Sequence, residues 1–587
     1  MEHFKIESDG DVKEYGRPTS FDIDGYLKSI GEFGSYQRRF FVLLVFLSII
    51  DGFIVVFTVI TSTAPDHYCR SFQNETYVPR TQTSLCDSFP ISSNSTCYTA
   101  DRCLRVVLSN GSDGNATIAE CDLGWVYDQS IYHSTPVAEW DLVCDKLWQR
   151  QLSKTVHMLG RPIGALLIGV SANRFGSKPV LFINTLILVG AGLLAATVNS
   201  FPVFAVSQFF TGCTGSLVNI GLIYVTELVG PSKRGTLGLL YYLGYPIAAM
   251  IMPSIASFVK DWRKLDIFLC IIFSFALSYL WIIPESVRWL LAHGRGEEAK
   301  RILLHAAVVN KATLSVDKLD EVNHLTTITN SEVSSPRPYG LMDMMRNPLM
   351  RKTVLNMCFQ WSVTYAVYIG LSTNTDFLAG HDLLNMFLTG LAEVPALTLT
   401  ALFVDRIGRK LASLCGYTVA GVALALVSMI PQGNDAVVVG IAVIGKFGIS
   451  VGFAVVCLYT TELLPTPIRQ IGVGLCSSFG RIGAAMTPML FTLGELYWWP
   501  IPYVLFSSGL CCGALFIRTL PETTGVDLPQ TMEDAEEFLR KGSKRRCILL
   551  CRDSSYQQCE LDNSPSHFIS ASQRDAGVDA KNGPTPV

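Results

Sequence analysis

Apolar runs of about 20 residues recur along the whole chain, with polar segments between them. An α-helix needs a run of this length to cross the hydrocarbon core of a membrane. The pattern predicts twelve spanning helices, at 40–62, 155–172, 179–198, 201–223, 237–258, 265–283, 354–373, 383–404, 411–430, 436–460, 471–492 and 500–520. We therefore expect an all-α integral membrane protein.

The polar stretches between the runs predict the topology. Residues 1–39 are polar or amphipathic, and Arg38 and Arg39 stand directly before the first apolar run. We interpret that run as a signal anchor that is retained in the protein. Because positive residues favour the cytoplasmic side, we expect this segment to be cytoplasmic. The long loop 63–153 is then extracellular.

The extracellular loop carries two kinds of modification signal. Its four N-x-S/T sequons are at Asn74, Asn94, Asn110 and Asn115. Its six cysteines are Cys69, Cys86, Cys97, Cys103, Cys121 and Cys144. Sequons beside an even number of cysteines predict a glycosylated, disulfide-bonded loop, and the sequence does not choose among the fifteen pairings.

Three pairs of similar segments divide the chain into two halves. They are NRFGSKPV (173–180) with DRIGRKLA (405–412), YVTELVGPSKRG (224–235) with YTTELLPTPIRQ (459–470), and PESVRWL (284–290) with PETTG (521–525). Each pair follows corresponding apolar runs at nearly constant separation, which predicts two six-helix bundles of common ancestry. The bundles are 40–283 and 354–520, and the connector 284–353 and tail 521–587 are expected to be cytoplasmic.

Composition agrees with a membrane protein and excludes other classes. Of the 587 residues 49% are hydrophobic and 16% charged, against ~25% charged in soluble domains. The net charge of −3 does not favour nucleic acid as a partner. We find no nucleophile–base set, phosphate-binding loop or metal-ligand cluster, so we predict neither an enzyme nor a cofactor. Whether Na⁺ or H⁺ is coupled does not follow from the sequence.

Five ionisable residues fall well inside the predicted spans: Asp51, Arg161, Glu393, Lys446 and Arg481. Such residues are costly in a bilayer and are functional candidates by default. Their charges sum to +1, so mutual cancellation leaves one positive group for a small organic ion. An arginine can hold a carboxylate through a bidentate fork. The alternatives are that Arg481 pairs internally with Glu393 or Asp51, and that Glu393 and Lys446 are structural partners.

Several motifs together resemble one family of membrane transporters. They are the G-x-x-x-[D/N]-R-x-G pattern after the second and eighth runs, GEFGSYQ (31–37), AEWDLVC (138–144), EVPA (393–396), GKFG (445–448) and TELLPTPIRQ (461–470). In these the chain resembles the organic cation, organic anion and carnitine transporters, solute carrier family 22 of the major facilitator superfamily, over roughly residues 20–535. The resemblance implies polyspecific transport by alternating access at the plasma membrane, with the substrate between the halves.

The resemblance also implies a substrate class. The position of Arg481 is aspartate in the cation carriers and arginine in the anion and carnitine carriers, which implies a zwitterion such as carnitine or an organic anion. Trp361, Tyr365 and Tyr368 stand at helical spacing, and with Tyr241 and Tyr242 they could offer aromatic faces to a quaternary ammonium. The alternative is that these aromatic residues only pack.

Charged residues at the helix ends are candidates for gating. We expect Asp405, Arg406 and Arg409 to clamp neighbouring helices, and Glu227 with Arg234 and Glu462 with Arg469 to do likewise; the alternative is charges that only set topology.

The chain departs from the family in three places. Asn173 and Ser177 replace the usual aspartate and arginine, and Gln208 replaces an arginine often found in the fourth span. These departures leave a non-transporting receptor or scaffold on a transporter fold open as an alternative. Within transport, an organic cation carrier also stays open.

Overall fold

The structure is a computed structural model. It describes residues 23–70, 77, 97–100, 103, 105–108, 116–215, 217–312, 341–373, 382–431, 434–465, 468–524, 529 and 532–540. The predicted glycosylation sites Asn74, Asn94, Asn110 and Asn115 lie outside the described residues, as does Cys86.

Helices occupy all six predicted spans of the first half. In chain order the helices up to the sixth span are α1 Ile23–Ser29, α2 Ser35–Ser62, α3 Pro136–Glu139, α4 Leu147–Phe175, α5 Ser177–Thr197, α6 Phe201–Thr214, α7 Leu217–Leu228, α8 Pro231–Tyr241, α9 Gly244–Phe258, α10 Trp262–Ser274 and α11 Tyr279–Ile282. The fourth and fifth spans each consist of two consecutive helices, and in the sixth a short 3-10 helix, Phe275–Ser278, lies between α10 and α11. The helix of the second span, α4, begins at Leu147, earlier than the predicted 155. Its polar first turns have hydrogen-bond partners, since Arg150 Nε donates to the Ser62 carbonyl over 2.7 Å.

The connector and the second half follow the same plan. Their helices are α12 Val287–Ala292, α13 Gly296–Val309, α14 Leu341–Arg346, α15 Pro348–Thr373, α16 Asp382–Ile407, α17 Arg409–Met429, α18 Asp435–Leu463, α19 Arg469–Leu496 and α20 Ile501–Ile517, with a last helix at 532–540. Within the described residues, nine helical segments are long and apolar enough to cross a membrane on length and composition alone. The helices α15, α19 and α20 occupy the other three predicted positions.

Each half has its own hydrophobic core, and the halves meet mainly along two helix pairs. The first-half core includes Leu47 and Trp262, and the second-half core includes Tyr417 and Tyr503. Between the halves, α4 packs against α19 and α9 packs against α16. The second contact is close at Gly390, where a Cβ would lie 3.1 Å from the Pro246 carbonyl oxygen. A larger side chain there would push the halves apart.

The predicted extracellular loop contains two small antiparallel sheets. Strand β1 (His67–Cys69) pairs with β5 (Trp125–Tyr127), with Tyr68 opposite Val126. The other sheet has the order β2 (Cys97–Ala100), β3 (Arg105–Leu108), β4 (Ala116–Ala119). We call this side of the molecule the loop end.

Disulfide bonds hold the loop together and attach it to the membrane helices. Cys69 is bonded to Cys121, and Cys103 to Cys144, which stands just before α4. The structure therefore supplies two pairings that the sequence left open.

The opposite side, which we call the connector end, carries the helices of residues 284–312. There α1 packs on α13, with Tyr26, Leu27 and Ile30 buried against Leu303 and two neighbouring alanines. The Tyr26 hydroxyl also donates to the Leu303 carbonyl over 3.1 Å. The helical spacing of apolar residues in the amino-terminal segment thus belongs to a packed helix.

Candidate substrate site and helix-end clusters

Two of the five charged residues in the spans form an ion pair in the first half. Arg161 on α4 donates to Asp51 on α2, and both side chains are about nine-tenths buried. Bringing them together neutralises both charges inside the membrane. Removing either partner would leave the other charge buried and unpaired, which is strongly destabilising.

A second ion pair lies in the second half. Lys446 Nζ on α18 is 3.2 Å from Glu393 on α16, and both side chains are almost fully buried. The Tyr368 hydroxyl donates to Glu393, and Lys446 Nζ sits 3.5 Å from the centre of the Tyr368 ring. One face of Tyr368 is therefore occupied by a lysine of the protein.

Arg481 is the fifth charge, and it differs from the other four. It is 7% exposed and donates to Ser477 Oγ on its own helix over 2.9 Å. Within the described part of the chain, the carboxylates of Asp51 and Glu393 are both paired elsewhere and Arg481 has no ion-pair partner. Of the five charges, Arg481 is therefore the one without a counter-charge among the described residues.

Aromatic side chains from both halves surround this position. Tyr365 packs on the backbone of Gly480, next to Arg481, and stacks on Trp361 with ring centres 5.5 Å apart. Phe453 contacts Tyr365 from α18 and also meets Tyr242 of the first half at 5.9 Å. The rings therefore bridge the two halves beside an unpaired guanidinium.

The predicted aromatic residues do not all have a free face. Trp361 is 5% exposed and its indole N–H donates to Thr460, while Tyr241 is fully buried with its hydroxyl donating to the Val218 carbonyl. Tyr242 and Phe453 meet between the halves. Phe453 carries no signal in the sequence, since it is one of 32 phenylalanines.

At the connector end of the second half, a cluster of charges joins three helices. Arg409 binds Glu462 through Nε and a terminal nitrogen, at 2.9 and 2.8 Å, and is also 2.8 Å from Asp405. Glu522 accepts from the backbone N–H groups of Arg409 and Lys410 at the start of α17.

Glu522 is stabilised in its charged form. Partial burial raises its pKa, but hydrogen bonds from Thr524 and from these N–H groups outweigh that effect and hold the pKa below its ordinary value. An anion at a helix N-terminus is favourable, so this contact fixes the end of α20 to the start of α17.

The first half repeats this cluster with different charges. Glu285 accepts from the backbone N–H groups of Ser177 and Lys178 at the start of α5, as Glu522 does for α17. Gly176 and Gly408, the residues before these helices, have φ of 91° and 93° and permit the same tight turn. Ser177, however, stands in the place of Arg409 and has no guanidinium that could bind Glu227. Glu227 instead accepts a hydrogen bond from the Ser286 hydroxyl.

A carboxylate from the amino-terminal helix takes part instead. Asp24 on α1 is 2.9 Å from Arg234 and 2.6 Å from Arg288. The charges of the first half are therefore joined through α1.

The ion pairs at the helix ends differ from those predicted. Glu462 pairs with Arg409, whereas Arg469 donates to the Leu464 carbonyl. Arg234 pairs with Asp24 because α1 lies closer to it than Glu227 does. Arg406 is exposed. Asp405 and Arg409 are in contact, at 2.8 Å, and their role in gating stays a prediction.

Glu285 and Glu522 were not among the predicted residues, although the sequence carried a signal for them. Each is the second residue of the repeated motif, PES or PET, that follows the last span of its half. A carboxylate repeated at equivalent places beside a helix end is the signal that could have identified both.

The comparisons with known proteins agree with this architecture. The family described as "Sugar (and other) transporter" matches residues 116–535. "Solute carrier family 22 member 3" of Rattus norvegicus is 31% identical over 538 residues, which span 88% of this chain and 96% of its own length. The "Organic cation transporter protein" of Drosophila melanogaster is 31% identical over 525 residues, 88% of this chain and 95% of its own.

A solved structure shows the same fold. The proton:xylose symporter XylE bound to 6-bromo-6-deoxy-D-glucose, of the major facilitator superfamily, aligns with a TM-score of 0.56 over 86% of this chain and 99% of its own. The sequence identity is 16%, so the likeness shows the fold alone.

Two helical halves with buried charges between them define a multi-pass membrane transporter of the major facilitator fold. The chain belongs to solute carrier family 22, within the sugar (and other) transporter family. It is therefore a transporter and not an enzyme.

Proposed function

We propose that the protein carries organic zwitterions that combine a carboxylate with a quaternary ammonium, of which carnitine is the type. The observation that carries the proposal is Arg481, a buried guanidinium without a carboxylate partner among the described residues. A substrate carboxylate would complete the charge balance through a bidentate contact.

The surroundings of Arg481 support a substrate with a cationic part as well. Tyr365, Phe453 and Tyr242 present aromatic rings between the halves, and an aromatic face attracts a quaternary ammonium. A zwitterion uses both features, whereas a simple anion uses only the arginine.

Uptake into transfected cells tests the proposal. We expect saturable uptake of radiolabelled carnitine that exceeds uptake of tetraethylammonium and of an organic anion, measured side by side with and without sodium. Arg481→Gln and Arg481→Asp should each lower carnitine uptake at least tenfold at unchanged surface expression, because a lost charge-assisted contact is worth ~1.5–3 kcal/mol. Arg481→Lys should recover only part, because an ammonium lacks the fork.

The matched control is Arg301→Gln, which removes an exposed arginine on the connector helix α13. It should leave uptake unchanged. Carnitine uptake equal to wild type in Arg481→Gln would overturn the role of Arg481, and absence of saturable uptake of any solute would favour a receptor.

An organic cation is the second candidate, since the fly relative is named an organic cation transporter. Under this alternative the Asp51 carboxylate would attract the substrate and Arg481 would be repulsive. Tetraethylammonium uptake that rises in Arg481→Gln would favour this candidate over the zwitterion.

We further propose that the protein works by alternating access in the plasma membrane, with both termini in the cytoplasm. The disulfide-bonded loop suits an extracellular position, and the charged clusters at Glu462 and Glu285 suit a cytoplasmic gate that holds helix ends together when closed. Labelling of epitope tags with and without membrane permeabilisation tests the topology.

A further inference from the structure

A carboxyl group stands deep among the helices of the first half, away from the aromatic cluster. Asp266 on α10 is 5% exposed and lies four residues after Trp262, the first residue of its helix. One helical turn, ~6 Å, therefore separates it from the loop end. It falls inside the predicted sixth span but was not among the candidate charged residues.

Asp266 lines a small cavity whose walls are otherwise mostly apolar. The cavity has a volume of about 20 Å³, room for a single water molecule, and its lining includes Ile54 from α2, Leu188 from α5 and Gln208 from α6. Carboxyl oxygen Oδ1 rests against the backbone of α5, since a Cβ on Gly192 would lie 3.3 Å from it.

Two polar atoms that line this cavity lack partners. Within the described residues, Asp266 Oδ2 and Gln208 Oε1 are both buried and neither has a hydrogen-bond partner. The cavity lining contains no charged group besides Asp266, and the one other titratable group in it is the Cys270 thiol, 4.0 Å from Oδ1. No cation lining the cavity balances a carboxylate there.

One proton would satisfy both atoms. An ionised carboxylate in apolar surroundings is very costly without a partner, and two acceptors such as a carboxylate and an amide oxygen cannot bond each other. A protonated Asp266 is neutral and gains an O–H donor, and Gln208 Oε1 is an acceptor without a partner in the lining of the same cavity.

We propose that Asp266 and Gln208 form a proton-binding site inside the first half, separate from the residues around Arg481. The ligand is a proton that exchanges with the loop end. Loss of this proton leaves a buried charge between α2, α5, α6 and α10. The packing of the first half is therefore stable only with the proton bound, and alkaline conditions weaken it.

Infrared spectroscopy of the purified full-length protein tests the site directly. At pH 6 the wild type should show the C=O stretching band of a protonated carboxylic acid, and Asp266→Asn should lose it. Gln208→Arg should also lose the band, because the guanidinium ionises the carboxyl group. Glu297→Gln, which alters an exposed acid on α13, should keep it.

Thermal unfolding provides a second measurement. A proton held by the folded state and released on unfolding makes stability fall as pH rises. Between pH 6 and pH 9 the Tm of the wild type should fall by about 2–4 °C more than that of Asp266→Asn.

Neither measurement uses a transported solute, so neither depends on the proposed substrate. Three results would each overturn the proposal. The first is that Asp266→Asn removes no band from the wild-type spectrum, and the second is that Gln208→Arg keeps the full band. The third is an equal pH dependence of Tm in the wild type and Asp266→Asn.

Discussion

Lys446 shows how single residues hold a charge inside this membrane protein. Its ammonium group is 3.2 Å from Glu393, 2.7 Å from Ser372 Oγ and over the ring of Tyr368. The ion pair, the hydroxyl and the aromatic face together replace the water that the charge loses. The sequence identified both charged partners, whereas the role of Tyr368 emerges only from the folded arrangement.

The ion pair of Lys446 and Glu393 should tolerate the loss of both charges better than the loss of one. Glu393→Gln leaves a buried ammonium without its counter-charge, and we expect it to lower the free energy of unfolding by ~3–5 kcal/mol. The double variant Glu393→Gln with Lys446→Met removes both charges and should recover most of that loss. Melting of the detergent-solubilised protein checks this, and a double variant as unstable as Glu393→Gln would contradict it.

Two glutamates at equivalent positions of the two halves join the ends of neighbouring helices. Glu285 and Glu522 fix the starts of α5 and α17, and each is bonded to backbone N–H groups that a helix start leaves unpaired. The second half adds the bidentate contact between Arg409 and Glu462, both mostly buried. The first half has Ser177 in that place and recruits α1.

Arg409→Gln should therefore destabilise the second half. We expect a loss of ~1.5–3 kcal/mol, since hydrogen bonds between charged groups in a partly buried site are broken. Arg406→Gln is the matched control, because Arg406 is an exposed arginine of the same motif, and it should change stability by less than ~0.5 kcal/mol. Equal effects of the two substitutions on Tm would show that position in the motif, rather than the contact with Glu462, decides stability.

The molecule as a whole consists of two bundles that touch along α4 with α19 and α9 with α16. Alternating access requires these contacts to slide or rock, so the helices must approach closely without interlocking side chains. Gly390 on α16 meets this need, since its Cα lies directly against the backbone and side chains of α9.

Gly390→Leu should stop transport at nearly normal surface expression. The added side chain would collide with Pro246 and Met250 across the halves while leaving each core intact. Gly440→Leu is the matched control, because a Cβ at Gly440 on α18 would meet nothing within 4 Å. Uptake of the transported solute and surface biotinylation measure the two effects; full activity of Gly390→Leu would contradict close sliding at this contact.

The positions of the helices were predictable from the sequence, whereas the contacts between them were predictable only in part. Apolar runs must be long enough to cross a bilayer, so each run marked a helix wherever the charged residues fell. Contacts between distant helices, such as Asp24 with Arg234, depend on three-dimensional placement that no spacing in the chain encodes.

Asp266 illustrates a further reason for missing a residue. It stands two residues after Lys264 at the edge of an apolar run, where a polar residue is ordinarily taken as part of the membrane interface. Its burial follows from the packing of α5 and α6 against α10, which the sequence does not show.

The packing of α1 on α13 has a practical consequence for producing this transporter. A truncated form that starts after Ser29 would lose the apolar cover of Leu303 and the Asp24 carboxylate shared by two arginines. We expect such a form to aggregate more on extraction and to give a lower yield of monodisperse protein by size-exclusion chromatography. Purification tags and fluorescent fusions at the amino terminus should therefore retain every residue from Ile23 onward.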